Sequence, residues 1–185
     1  MNEETIMATS TPWGASQYSE SLCRGIVSYG TAGHGGVHLS PTRNCVVPEY
    51  MRNANGWYEE DCEWAIPAAI FPEAWVKHYG TEDILATIKS TLLNYYPDFY
   101  AKFYNVEIKE GESYENDARN FKKNNKDNYV VICATGKDNH VEVIATKGGE
   151  REDDSEERTF LIKTEEYQNR GKHGFVIDLD RHIEI

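Results

Sequence analysis

A chain of 185 residues has room for one domain, or for one domain with a small appended subdomain. Aromatic residues make up 12% of it, including 12 Tyr and 4 Trp, which sets it apart from disordered chains and predicts a folded protein. A net charge of −12 argues against direct DNA binding, which rests on Lys and Arg neutralising phosphates; it suits either plain solubility or a basic partner such as the channel of a nucleic-acid enzyme.

No apolar run reaches the roughly 18 residues of a membrane span, so no membrane association is expected. The opening MNEETIMATSTPWG has neither the basic start nor the apolar core of a signal peptide. The cysteines, Cys23, Cys45, Cys62 and Cys133, show no CxxC pairing. Together these predict a cytoplasmic protein with reduced thiols.

Residues 1–10 are polar and are expected to form a disordered tail. Residues 20–40 read as strand, turn, strand, with SLCRGIVSYG leading in, TAGHGG turning and VHLS returning. Ser40 can cap a helix that has Pro41 at its first position, and Pro48 keeps that helix short. In NANGWYEEDCEWAIPAAIFPEAW, Tyr58, Cys62, Ala65, Ile66 and Ala69 fall at helical spacing. Glu59, Glu60 and Asp61 would then fill the first turn, where the helix dipole favours negative charge, and Pro67 would kink or end the segment.

TEDILATIKSTLLNYY is the clearest helix: Thr81 caps it, Glu82 and Asp83 fill its first turn, and Ile84, Ile88, Leu92 and Tyr95 form an apolar stripe. Pro97 stops it, and DFYAKFYN adds a further turn or two. Residues 109–128 read as a polar, Asn-rich loop or linker with one helical turn. NYVVICATGKDNHVEVIAT is a hairpin turning at GKDN, KGGEREDDSEER an exposed loop and TFLIK a strand. TEEYQNRGKHG is a short capped helix ending at Gly171, and FVIDLD the last strand.

The fold class expected from this order is α+β, with helices in the first half (about 40–105) packed with small antiparallel β-sheet elements at about 20–40 and 129–180. The expected organisation is the tail over 1–10, an α+β core over 11–108, the polar linker over 109–128 and a small antiparallel β subdomain over 129–185.

TAGHGGVHLS carries the first candidate chemistry, and three roles for His34 stay open: a turn former, a metal ligand or a catalyst. HGG lacks the GxGxxG pattern of a phosphate cradle. His34 with Cys62 and Asp61 would supply the parts of a nucleophilic site, but Cys62 lies on an apolar stripe, where cysteines are packing residues, so no catalysis is expected. Zinc takes Cys, His and carboxylate ligands. His34 and His38 share a face of an extended segment, and Glu59, Cys62 and Glu63 share a helix face, so the candidate ligands of a structural zinc are His34, Cys62, His38 and Glu59. The competing reading has His34 hydrogen-bonding a turn and His38 exposed. The remaining acids, Glu60, Asp61 and Glu63 with Glu152, Asp153, Asp154, Glu156 and Glu157 of the charged loop, are either a solvated face or a surface that contacts a basic partner. Trp57, Trp64 and Trp75 are expected as core or interface anchors.

TPWG, TAGHGGVHLS, WYEEDCEWAIP and FLIKTEEYQNRGKHGFVID together resemble an uncharacterised domain of phage and mobile-element polyvalent proteins, over roughly residues 10–80 and 158–180. The free-standing form resembles a type II anti-CRISPR protein. The resemblance makes His34, Gly35, Gly36, Glu60, Asp61, Cys62 and Trp64 the motif positions. It implies a protein in the cytoplasm of the bacterial host, with a type II CRISPR effector nuclease as partner and the nuclease's target-DNA loading or cleavage as the step blocked. The alternative is a zinc-binding accessory anti-defence module contacting DNA or another protein, and a hydrolase or transferase using His34 with Cys62 or a carboxylate is the third reading.

Overall fold

The computed structural model describes residues 9–80 and 82–185. Most of the expected tail, and the expected cap Thr81, lie outside the described residues. The chain divides into two compact units, Met1–Ser113 and Tyr114–Ile185.

The first unit opens with a small hairpin, β1 (Ser10–Thr11) and β2 (Gly14–Ala15). A four-stranded antiparallel sheet follows, with β3 (Tyr18–Cys23), β4 (Ile26–Gly30), β5 (Gly35–Leu39) and β6 (Trp57–Glu59) in that spatial order. Residues 20–40 thus hold two hairpin turns rather than the single expected one. The extra turn sits at Arg24–Gly25, where Gly25 takes φ +84°, a value open to glycine without a steric penalty. Gly35 and Gly36, expected in the turn, belong to β5.

Cross-strand pairs fix the faces of the sheet. Ile26 opposes Leu39, Ser28 opposes Val37, and Val37 opposes Tyr58, so these side chains share the core face. Ile26, Leu39 and Tyr58 are fully buried there. Tyr58 also donates its hydroxyl to Asn44 Oδ1 at 2.7 Å, satisfying a buried polar pair.

Helices α1 (Pro41–Asn44), α2 (Ala65–Ile70), α3 (Pro72–Tyr79), α4 (Glu82–Tyr95) and α5 (Pro97–Tyr104) complete the unit. Ser40 accepts from Arg43 N with Pro41 in first position, as expected. The acidic run is not a helix start. Pairing with β5 keeps the chain extended through Glu59, and α2 begins only at Ala65 with no acid in its first turn. Pro67 is the third residue of α2, where an amide hydrogen would have no intrahelical partner, so the helix runs through it and breaks instead at Phe71–Pro72. On α4, Ile88 and Leu92 are buried and Ile84 partly so, but Tyr95 is exposed and Tyr96 packs against the core in its place.

The second unit begins with α6 (Tyr114–Asn124), a helix where a polar loop with one turn was expected. Its sequence has acids in the first turn and lysines in the last, matching the helix dipole, and no residue of it is buried. Strands β7 (Tyr129–Lys137), β8 (His140–Lys147), β9 (Arg158–Lys163) and β10 (Ile183–Glu184) form an antiparallel sheet in the order β10-β9-β8-β7, with the short helix α7 (Thr164–Gln168) after β9. The β7–β8 turn falls at Asp138–Asn139, within the expected GKDN, with Asp138 left-handed. FVIDLD is not a strand. It runs antiparallel beside β7 with an isolated bridge at Val176, and the last strand is β10 instead. Val143, Ala145, Phe160 and Ile162 form the core of this sheet. The arrangement of helices and small antiparallel sheets makes the fold α+β. No helix among the described residues is long and apolar enough to cross a membrane.

Candidate functional site

Three motifs of the first unit meet at strand β5. The Thr31 hydroxyl donates to His34 O at 2.7 Å and accepts from His34 N at 3.2 Å. His34 therefore closes the β4–β5 turn through its backbone, while its ring stays largely exposed. Thr11 works the same way in TPWG: its hydroxyl donates to Gly14 O and accepts from Trp13 N, which fixes Trp13 above β5.

The two glycines after His34 are there for space. A Cβ on Gly36 would strike the Trp13 ring and the Tyr58 carbonyl. A Cβ on Gly35 would strike the Glu60 carboxylate and lie 2.9 Å from Tyr29 O. Gly33, by contrast, has nothing within 4 Å. HGG, TPWG and WYEE are thus parts of one packing arrangement. On its outer face Trp57 gathers Trp13, Tyr29 and His38, with ring centroids 5.8, 5.1 and 4.5 Å away.

The carboxylates divide by role. Glu63 accepts from Asn53 Nδ2 at 2.9 Å and from Glu59 N at 3.0 Å, so it holds the turn after β6. Glu59 accepts from Asp61 N at 2.6 Å through one oxygen. Its other oxygen is buried without a hydrogen bond, 3.9 Å from His34 Nδ1. Glu60 is bound through its backbone, N to Gly35 O at 3.1 Å, and its side chain has no hydrogen bond or ion pair among the described residues.

Glu60 lines a cavity of about 380 Å³ between the core face of the sheet and α3 and α4. Tyr18, Trp64, Trp75 and Tyr79 give it aromatic walls, and Glu60 is its one charged lining residue. Trp75 is buried, whereas Tyr18 and Tyr79 are each 58% exposed and mark its open side. Sequence reading missed this cavity. The aromatic content was the available signal, but the walls come from five separate elements.

The zinc ligand set expected from the sequence does not assemble. Among the described residues, the one group of three with ligand atoms near each other is His34, Glu59 and Glu60, within 4.8 Å. Cys62 and His38 are not in it. His38 lies against Trp57, and burial pushes its ring below the usual histidine range. Structural zinc sites are closed and four-coordinate, and usually carry thiolates; this group has two exposed members and no thiol, so it does not fit one. Cys62 is partly buried, unpaired and without a hydrogen bond to a histidine. Burial, then Asp61 and Glu59, push its thiol up, away from the thiolate that catalysis needs. The acids of the charged loop, Glu152, Asp153, Asp154, Glu156 and Glu157, are exposed and belong to the second unit. Glu156 there accepts from Tyr129 Oη at 3.2 Å.

No curated protein and no solved structure matches the chain. The family model described as Domain of unknown function (DUF7007) matches residues 6–126, a stretch that contains the whole Trp13–Gly36–Glu60 arrangement and excludes the 158–180 segment of the sequence resemblance. The chain belongs to this family of domains of unknown function, DUF7007.

Proposed function

We propose that the protein works by stoichiometric binding to a basic partner rather than by catalysis, and that this partner is a type II RNA-guided DNA nuclease whose target-DNA loading or cleavage it blocks. The observation that carries the reading is Glu60: a carboxylate with no hydrogen bond or ion pair among the described residues, set at an aromatic-walled cavity. The chain around it carries a net charge of −12, most of it in residues 1–113. A nuclease of this class holds its RNA–DNA heteroduplex in a positively charged channel and reads a short duplex motif with arginines. An acidic protein seated on that channel or its rim excludes the DNA phosphates, and charge steering speeds the encounter. The choice of this nuclease among basic partners rests on the motif resemblance of TPWG, HGG and EEDCEW to a phage and mobile-element domain, and the proposed site of action is the cytoplasm of the bacterial host.

The test is target cleavage by a guide-loaded type II nuclease with this protein titrated in. Cleavage is expected to stop near one copy per nuclease and to recover partly as salt is raised. Unimpaired cleavage with several such nucleases would overturn the assignment, and a complete stop at far below one copy per nuclease would point to catalysis.

A further inference from the structure

We infer that the cavity behind Gly35 and Gly36 receives one arginine side chain of the partner protein, stacked among the aromatic walls with its guanidinium on Glu60. This rests on the binding role proposed above and names what is bound. The cavity combines the two features that recognise an organic cation. Aromatic rings attract one through their quadrupole, and Tyr18, Trp64, Trp75 and Tyr79 supply four rings around one space. A carboxylate supplies the counter-charge, and Glu60 is the one charged side chain of the lining.

The site is built before any ligand arrives. Gly35 has no side chain, and that is what lets the Glu60 carboxylate lie against β5. The Tyr18 ring occupies the space where a Cβ on Gly30 would stand, so a second wall is seated by a second glycine. Glu20 adds negative charge at the open side: it lies 3.4 Å from His78 Nε2 and within electrostatic reach of the Tyr79 hydroxyl, which burial first and then Glu20 push up. Pre-formed walls and a fixed counter-charge lower the entropy that binding must overcome.

Arginine fits this chemistry better than lysine. Its planar guanidinium stacks on aromatic faces, offers two parallel N–H bonds to a carboxylate and is more weakly hydrated than an ammonium. A volume of about 380 Å³ is at the small end for ligand pockets, which suits one side chain rather than a peptide segment.

The experiment uses the full chain labelled with ¹⁵N and follows the indole N–H signals of Trp64 and Trp75 by NMR. N-acetyl-arginine amide is titrated in, with the citrulline and lysine analogues in parallel. Saturable shifts are expected with the arginine compound, none with the uncharged citrulline compound and a several-fold weaker response with lysine. Glu60→Gln is expected to weaken arginine binding at least tenfold while leaving the protein folded, because the Glu60 side chain makes no hydrogen bond or ion pair among the described residues; Tyr18→Ala, at an exposed wall, is expected to weaken it as well. No saturable shift, an equal response to citrulline, or an unchanged affinity in Glu60→Gln would overturn the inference. Nuclease inhibition by Glu60→Gln at wild-type potency would overturn it while leaving the inhibitor role intact. Arginine binding by a chain that inhibits no nuclease would do the reverse.

Discussion

Replacing Gly36 with alanine adds one methyl group to the centre of the first unit. That methyl falls on the Tyr58 carbonyl and on the Trp13 ring. Tyr58 cannot retreat easily, because it is fully buried and its hydroxyl is tied to Asn44 at 2.7 Å. Strand β6 must therefore shift away from β5, loosening the Gly36–Glu59 and Val37–Tyr58 pairs. Overpacking by one methyl costs about 1–3 kcal/mol, and each weakened ladder hydrogen bond about 1 kcal/mol, so the expected loss is about 2–4 kcal/mol. Gly33→Ala is the control: its added methyl meets nothing within 4 Å, and it is expected to be neutral or to stabilise by up to about 1 kcal/mol through the unfolded chain. Urea unfolding followed by tryptophan fluorescence reads this unit selectively, because Trp13, Trp57, Trp64 and Trp75 all lie within residues 1–113. At ordinary urea slopes the Gly36→Ala midpoint is expected to fall by about 1–2 M. An unchanged midpoint, or equal damage from Gly33→Ala, would refute the packing explanation of the HGG motif.

The same assay is expected to show a loss of about 1–3 kcal/mol for Tyr58→Phe, which leaves buried Asn44 Oδ1 without its donor. Leu92→Ala, at a fully buried position of α4, is expected to lose about 2–5 kcal/mol. In the second unit, the hydrogen bond from His182, aided by Arg181, holds the Glu166 carboxyl below the usual glutamate range. A depressed folded-state value means the contribution is full above the unfolded-state value and lost as pH falls through the folded one. This unit is therefore expected to weaken on acidification below about pH 5, and Glu166→Gln to flatten that limb, read from the Val143 and Ile162 methyl signals. Elemental analysis of the purified chain is expected to find no stoichiometric zinc; one zinc per chain would favour the accessory-module reading and direct attention to His34, Glu59 and Glu60.

Elements set by local rules were legible in the sequence. Helix α4 shows a 3.6-residue period at Ile84, Ile88 and Leu92, α1 carries its own cap and proline, and the β7–β8 turn carries GKDN. Elements set by distant partners were not. Tyr58 to Ala69 has helical spacing, yet its first part is held extended by pairing with β5, some twenty residues earlier. Helix α6 hides because its apolar positions, Tyr114, Ala118 and Phe121, are few among polar residues and none of its residues is buried. Gly35 and Gly36 look like turn residues, since glycine usually serves conformation; their role depends on Trp13 and Glu60, which only the folded sheet brings near. His34, Glu59 and Glu60 are candidates that do come together, whereas Cys62 and His38 were grouped with His34 on a helical and an extended spacing that the fold does not combine. The cavity was beyond sequence reasoning because its walls come from strands and helices far apart in the chain, from Tyr18 to Thr87.

The most direct test of the binding role is calorimetric titration of the intact protein into purified, guide-loaded type II nuclease, at low and at high salt. Saturable binding at one copy per nuclease is expected, with affinity falling as salt rises and falling at least tenfold in Glu60→Gln. No binding at any salt would contradict the proposed partner, and salt-independent binding unaffected at Glu60 would contradict the acidic, cation-receiving surface on which the proposal stands.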